Sequence, residues 1–296
     1  MSLAGDESVL RLISAAKAED LGFGDITSQL LAHPQEPATF QLVAKQPGIL
    51  AGAEIATPIL HAYDPALTLE WERGVVDGFV IAAAPQSLAT LRGPLAALLS
   101  AERVFLNFLQ RLSGIATITR RYVDAVAGTR VTILDTRKTT PGMRTLERYA
   151  VRCGGGANHR SGLFDAVLVK DNHLAGVETQ RIAVELFGML NRLGATGVSP
   201  AFVEVEAQSI DQVAEMLKVV GIDVILLDNF ALSDLNKAVA LRDAVDLRGK
   251  IALEASGGVN LQTVRAIAET GVDRISVGAL THSAPALDLS LERVAC

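Results

Sequence analysis

Basic side chains recur where apolar runs end. Ile133-Leu134-Asp135-Thr136 leads straight into Arg137 and Lys138, and Ala166-Val167-Leu168-Val169 leads into Lys170. Between them, the glycine run Gly154-Gly155-Gly156 ends in Ala157, Asn158, His159 and Arg160. Arginine offers a planar fork matched to carboxylate or phosphate, and lysine a point charge. Five cationic or cation-capable groups on neighbouring strand ends would repel one another unless a ligand neutralised them. Taken one at a time, each base reads equally well as a solvated loop charge or as a partner of Asp135, Asp165 or Asp171. Taken together, in a chain whose net charge is −6, they point to a pocket for a small polyanion.

A second set is acidic. In Phe202-Val203-Glu204-Val205-Glu206 the alternation of a strand puts Glu204 and Glu206 on one side, and Asp228 closes the run Ile225-Leu226-Leu227. Carboxylates beside a phosphate-rich ligand can hold it through Mg²⁺, which takes oxygen ligands and keeps waters; they can equally bind ribose hydroxyls, or one can pair with Lys170. A third set consists of two strand-to-glycine turns, Glu254-Ala255-Ser256-Gly257-Gly258 and Ile275-Ser276-Val277-Gly278. Backbone N–H groups at such turns can cradle a phosphate monoester, although the glycines could simply permit tight turns. Arg103 and Arg111, eight residues apart on a helical stretch, share a face that reads as solvated. His33, His61 and His282 lack metal-like spacing, and His173 could cap the Lys170 loop or line the pocket. Cys153 reads as a packed residue, since no base is paired with it.

The elements that must position these residues follow from periodicity. Residues 8–20 read as a helix with Val9, Leu10, Leu12, Ile13 and Ala16 on one stripe. Short alternating runs at 39–44, 67–71 and 78–82, punctuated by Gly and Pro, suggest an antiparallel sheet, and 86–127 read as helical. From 131 the rhythm changes. Strand candidates fall at 131–135, 165–169, 201–206, 223–227, 250–255 and 273–277, with helical patterns between them, which implies βαβ crossovers and a parallel sheet. Each strand stays apolar until its C-terminal end. All six contribute polar residues there, as in a barrel, whereas an open doubly wound sheet would gather them at one switch point.

Composition agrees. Hydrophobic residues make up 49% of the 296, and aromatics only 4%, as parallel α/β folds tend to show. No apolar run approaches a membrane span, and the segment from Met1 to Glu7 lacks the basic start and apolar core of a signal peptide. The acidic balance argues against nucleic acid as a partner. Two isolated cysteines, Cys153 and Cys296, suit a reducing cytoplasm.

At these residues the chain resembles the quinolinate phosphoribosyltransferases. Glu19-Asp20-Leu21-Gly22-Phe23-Gly24-Asp25-Ile26-Thr27 is similar to the family's N-terminal signature. The segments Asn107 to Thr117, Leu134 to Pro141, Tyr149 to His159, Lys170 to His173, Leu227 to Phe230, Glu254 to Gly258 and Ser276 to Leu280 continue the match in order. The resemblance implies an N-terminal α/β sandwich domain, 1–115 joined by 282–296, and an incomplete α/β barrel, 116–281. It implies decarboxylating phosphoribosyl transfer from 5-phosphoribosyl 1-pyrophosphate to quinolinate, with Mg²⁺ and no organic cofactor. It further implies a homodimer in which Arg103 reaches the neighbour's site. Arg137, His159 and Arg160 match positions holding the dicarboxylate, and Lys138 and Lys170 those near the pyridine and the pyrophosphate. Glu206 and Asp228 match the ribose and Mg²⁺ carboxylates, with Glu204 the competitor of Glu206. Ser256, Gly257 and Gly278 match the 5′-phosphate cradle. Two other readings remain open: a molybdenum-transport-associated paralogue with a different substrate, and a non-catalytic phosphometabolite sensor. The first would not need Arg137, His159 and Arg160 together, and the second would not need both acids and both lysines.

Overall fold

The computed structural model describes residues 3–294. Met1, Ser2 and Cys296, all used in the sequence reading, lie outside them. The chain divides into two compact units, one of Met1–Arg120, Thr139–Gly155 and Leu280–Cys296, the other of Arg121–Lys138 and Gly156–Ala279.

In chain order, the elements up to residue 125 are α1 (Glu7–Leu21), β1 (Pro37–Ala44), β2 (Gly48–Ile49), α2 (Ala53–Tyr63), β3 (Thr68–Trp71), β4 (Val80–Ile81), β5 (Gln86–Pro94) and α3 (Leu95–Ala125). There follow β6 (Thr132–Leu134), α4 (Arg144–Cys153), β7 (Val167–Val169), α5 (Ile182–Thr196), β8 (Val203–Ala207), α6 (Ile210–Met216) and β9 (Val224–Asp228). The chain continues with α7 (Leu232–Ala244), β10 (Ala252–Ser256), α8 (Val264–Glu269), β11 (Arg274–Ser276), α9 (Ala279–His282) and β12 (Leu289–Arg293).

The first unit is built on an antiparallel sheet in the order β12-β1-β5-β3. Ala38, Phe40, Leu42 and Ala44 of β1 are buried, the period of two that marks a one-sided strand. The stretch from 86 is where the sequence reading fails: Gln86–Pro94 is a strand, and the helix begins only at Leu95. The register of β1 against β5 shifts between Leu42 and Val43, so Leu88 and Ala89 are both buried although adjacent. A bulge of this kind blurs the alternation on which a strand is recognised. α1 starts where Asp6 accepts the Ser8 and Val9 amides at 2.8 and 3.3 Å, and it buries Val9 and Ile13.

The second unit carries six parallel strands in the order β6-β11-β10-β9-β8-β7. Each lies inside, or within one residue of, the window read from the sequence. Consecutive strands are neighbours except the first two, so this is a barrel cycle left open between β6 and β7. In a parallel ladder, paired residues face the same way. Glu206 pairs with Leu226, Leu226 with Glu254, and Asp228 with Ser256, so one inner face carries all five. No helix among the described residues is long and apolar enough to cross a membrane.

Candidate active site

The C-terminal ends of the six strands open onto a cavity of about 550 Å³ in the second unit. Arg137 and Lys138, which follow β6, line it with Lys170, which follows β7. His159 and Arg160 reach it from the segment that precedes β7, and Glu206, Asp228, Ser256 and Gly257 from the ends of β8, β9 and β10. Gly278, two residues past Ser276 of β11, is not among its lining residues. Arg103 lies exposed on α3 in the first unit, in a cleft lined also by Asp20, Asp25 and Ser100.

The basic wall is electrostatically loaded. Arg160 is only 6% exposed. Its pKa sits below the ordinary guanidinium value, first because burial disfavours its charge and then because Arg137 repels it. Lys170 is half exposed and pairs at 3.2 Å with Glu206, whose side chain is 6% exposed. His173 does not line the cavity; its Nδ1 accepts the Lys170 amide at 2.8 Å, which makes it the cap of that loop.

The acidic wall is set by backbone geometry. Asn229 has a φ of 56°, a left-handed conformation that asparagine tolerates better than most residues. Its amide donates to Ser256 O at 2.9 Å, and its Nδ2 donates to Asp228 Oδ2 at 2.8 Å. Gly257 stands against it with φ +89°, where a Cβ would meet Asn229 Oδ1 at 2.1 Å. Gly257 is therefore required twice, by its backbone and by the space Asn229 fills. Glu206 and Asp228 offer carboxylate oxygens to the same open cavity, a donor set that suits a hard cation such as Mg²⁺.

Glu204 is parted from Glu206 by depth. It is fully buried with Glu254, and His159 Nε2 lies 2.9 Å from Glu204 Oε2 and 3.4 Å from Glu254 Oε1. These three form the one group among the described residues whose ligand atoms lie within 4.8 Å of one another. Burial alone would lower the His159 pKa, but the two carboxylates outweigh it and push it up to about 10. Against that, the Arg160 amide donates to Nδ1 at 2.7 Å, which requires Nδ1 to be bare. With Nδ1 occupied by that amide, the Nε2 N–H is the group that faces the glutamates. A nitrogen that keeps its proton is no metal ligand, so the spacing alone does not make this a metal centre. Phe202 packs edge-on against the ring, with centroids 5.4 Å apart. Sequence reasoning did not assign Glu254 a role, although the strand period places it on the same face as Ser256.

Two further residues depart from, or settle, what was expected. Arg111 is not on a solvated face: it pairs at 2.7 Å with the fully buried Glu147 and donates to the carbonyls of Ala284 and Thr281. Glu147 also accepts the amide and hydroxyl of Thr140, at 3.0 and 2.8 Å. The Cys153 thiol is pushed up to about 12 by burial and by Asp77, the reverse of an activated nucleophile.

The comparisons with known proteins concern the whole chain. Residues 25–113 match the N-terminal domain of quinolinate phosphoribosyl transferase, and residues 115–292 match its C-terminal domain. Quinolinate phosphoribosyltransferase [decarboxylating] 1 of Nicotiana glauca is 41% identical, over 95% of this chain and 81% of that protein. A probable nicotinate-nucleotide pyrophosphorylase [carboxylating] of Bacillus subtilis is 40% identical, over 95% and 92%. The structure of the nicotinate-nucleotide pyrophosphorylase from Francisella tularensis superposes with a TM-score of 0.86 at 36% identity, covering 99% of each chain. With matches at this level across both domains, the chain belongs to the quinolinate phosphoribosyltransferase family.

Proposed function

We propose that this protein transfers the phosphoribosyl group of 5-phosphoribosyl 1-pyrophosphate to quinolinate, releasing pyrophosphate and CO₂ and forming nicotinate mononucleotide for NAD biosynthesis. The observation that carries the reading is the Arg137–Arg160 pair. Two guanidiniums, one nearly buried and destabilised by the other, face a cavity whose opposite wall is acidic. A planar dicarboxylate relieves that repulsion with two bidentate partners, and His159 flanks it.

Lys138 and Lys170 are the groups toward the developing pyrophosphate charge. Glu206 and Asp228 would hold Mg²⁺, which when bound neutralises phosphate charge and orients the leaving group. The same carboxylates favour the positive charge that builds on the ribose as the pyridine nitrogen replaces pyrophosphate at the anomeric carbon. Ser256 and Gly257, with Gly278 beyond them, take the 5′-phosphate. Catalysis here is positioning plus electrostatics. Once the ring nitrogen is alkylated it is cationic. The bond from C2 to its carboxylate then breaks with the electron pair stabilised beside that nitrogen, and a proton is taken up at C2. No organic cofactor enters. We assign a cytoplasmic homodimer in which Arg103 completes the neighbour's site; the acidic chain binds neither nucleic acid nor membrane.

The test is formation of nicotinate mononucleotide and CO₂ from quinolinate and 5-phosphoribosyl 1-pyrophosphate, with nicotinate as the control substrate. Product from quinolinate alone is expected. Equal use of nicotinate, or no product, refutes the reading.

A further inference from the structure

The opening in the six-stranded cycle is not bare. β6 and β7 are its edge strands, and the segment that follows the Gly154-Gly155-Gly156 run lies along β6. Ala157 forms a parallel bridge with Leu134: its amide donates to Ile133 O at 2.8 Å, and the Asp135 amide donates to Ala157 O at 3.2 Å. One residue beyond the bridge, the Asp135 side chain grips the same segment. Its Oδ1 accepts the His159 amide at 2.7 Å, and its Oδ2 accepts the Asn158 side-chain amide at 2.6 Å. Asp135 is fully buried. Further on, Asp165 accepts the Ser161 and Gly162 amides at 2.6 and 3.0 Å. Two carboxylates thus hold the segment that carries His159 and Arg160.

We propose that Asp135 is a positioning residue for the dicarboxylate wall, fixing the separation of Arg137 and Arg160 against their mutual repulsion. Arg137 stands two residues after Asp135 on one chain segment, and Arg160 stands one residue after the amide that Asp135 accepts on the other. β6 and β7 do not pair, so no strand ladder ties β6 to the chain that leads into β7. The Ala157–Leu134 bridge and the Asp135 bonds tie β6 to the segment that carries Arg160. A buried carboxylate that accepts two short donors forms strong, directional bonds, and it resists movement because unpairing it inside the protein is costly. The proposal rests on reading the cavity as a dicarboxylate site.

The experiment pairs Asp135→Asn with the exchanged double variant Asp135→Asn/Asn158→Asp. In the single variant, an NH₂ group faces the Asn158 NH₂ and one bond is lost. In the double variant, donor and acceptor trade places and the bond returns, while the His159 amide keeps its acceptor in both. We expect the single variant to raise the KM for quinolinate by at least about tenfold, the loss of one charge-assisted bond. The KM for 5-phosphoribosyl 1-pyrophosphate should stay within about twofold, and the double variant should recover most of the affinity. Amide hydrogen exchange across 156–160 should quicken in the single variant and slow again in the double. Should the single variant fold poorly, Asn158→Ala removes the same bond from the other side without adding a charge, with the same expected effect on quinolinate. An unchanged quinolinate KM overturns the proposal, as does a parallel rise of both KM values with a fall in Tm, or exchange rates that do not respond. Wild-type protein that forms no product would refute the proposed function instead, and the exchange comparison would still decide the role of Asp135.

Discussion

Adding one methyl group at Gly257 should do more harm than adding it at Gly258, and the difference should come from Asn229. Both glycines have positive φ, +89° and +61°, so alanine at either costs roughly 1–2 kcal/mol in backbone strain. At Gly258 nothing lies within 4 Å of the new Cβ, and strain is the whole effect. At Gly257 the Cβ would sit 2.1 Å from Asn229 Oδ1 and 2.5 Å from its Cγ. Asn229 must leave its rotamer, at about 0.5–1.5 kcal/mol, and release Asp228 Oδ2, at about 0.5–1.5 kcal/mol for a bond near solvent. The excess of Gly257→Ala over Gly258→Ala is therefore about 1–3 kcal/mol. At about 2.1 cal/mol/K of unfolding entropy per residue, a chain of 296 residues melts roughly 1.6 °C lower per kcal/mol lost. The expected falls in Tm are about 2–3 °C for Gly258→Ala and about 3–8 °C for Gly257→Ala.

A double-mutant cycle isolates the cause. Asn229→Gly removes the three atoms nearest the new Cβ, and glycine accepts the φ of 56° without strain. In that background the two alanine variants should melt alike. The same cycle reads out on activity: Gly257→Ala and Asn229→Gly each unfasten Asp228, so each should raise the KM for 5-phosphoribosyl 1-pyrophosphate, and the two together should do little more than either alone. The reasoning is refuted if Gly257→Ala is no worse than Gly258→Ala, or if its excess survives the removal of Asn229.

Other expectations concern the first unit, the loop anchor and the assembly. Arg111→Met strands Glu147 buried without its cation and should cost about 3–5 kcal/mol in denaturant unfolding; adding Glu147→Gln should restore a large part, and a loss under about 1 kcal/mol would contradict the buried pair. Burial works to raise the Asp165 pKa, but the Ser161 and Gly162 amides outweigh it and bring it from 3.8 to about 2. Its contribution to stability is thus present above the unfolded value and lost as pH falls through about 2. The stability gap between wild type and Asp165→Asn should close between about pH 4 and pH 2, and a gap independent of acid in that range would contradict the assignment. Mixed in equal amounts under exchange, Arg103→Ala and Lys170→Ala chains should regain about a quarter of wild-type activity, since half the dimers are mixed and each holds one intact site; no recovery would argue against a shared site.

The sequence was most legible where chemistry and strand ends coincide. A buried parallel strand is largely apolar, so charged residues gathered at its C-terminal end mark the rim of the sheet. Arg137, Lys170, Glu206 and Asp228 were found by that rule, and the cavity gathers all four. The rule has no means of separating depth. Glu204 and Glu206 share a face by alternation, yet one lies under His159 and the other pairs with Lys170. Only the third dimension distinguishes them, since both are two-residue steps on one strand. Residues 86–94 escaped for another reason: the bulge opposite Val43 erased the only periodic signal they carried. Arg111 escaped because its partner Glu147 lies 36 residues away, beyond the reach of any local pattern.

The placement of carboxylates around an anion site is the feature local reasoning reads least well. Asp135, Asp165, Glu204 and Glu254 all lie close to a wall meant for anions, and a census of charge alone counts them against it. Their contacts resolve the conflict. Asp135 accepts the His159 backbone amide and the Asn158 side-chain amide, and Asp165 accepts two backbone amides, at 2.6–3.0 Å, so what they give the site is geometry more than potential. Glu204 and Glu254 are buried and bear on the His159 ring, and Glu254 also borders the cavity. The guanidiniums, by contrast, meet the cavity directly. At the basic wall a ligand therefore meets Arg137 and Arg160 directly, while Asp135, Asp165 and Glu204 lie outside the cavity lining, and at short range the nearer charge dominates. Because β6 and β7 do not pair, the bonds from Asp135 to Asn158 and His159 are contacts that tie β6 to the segment bearing Arg160.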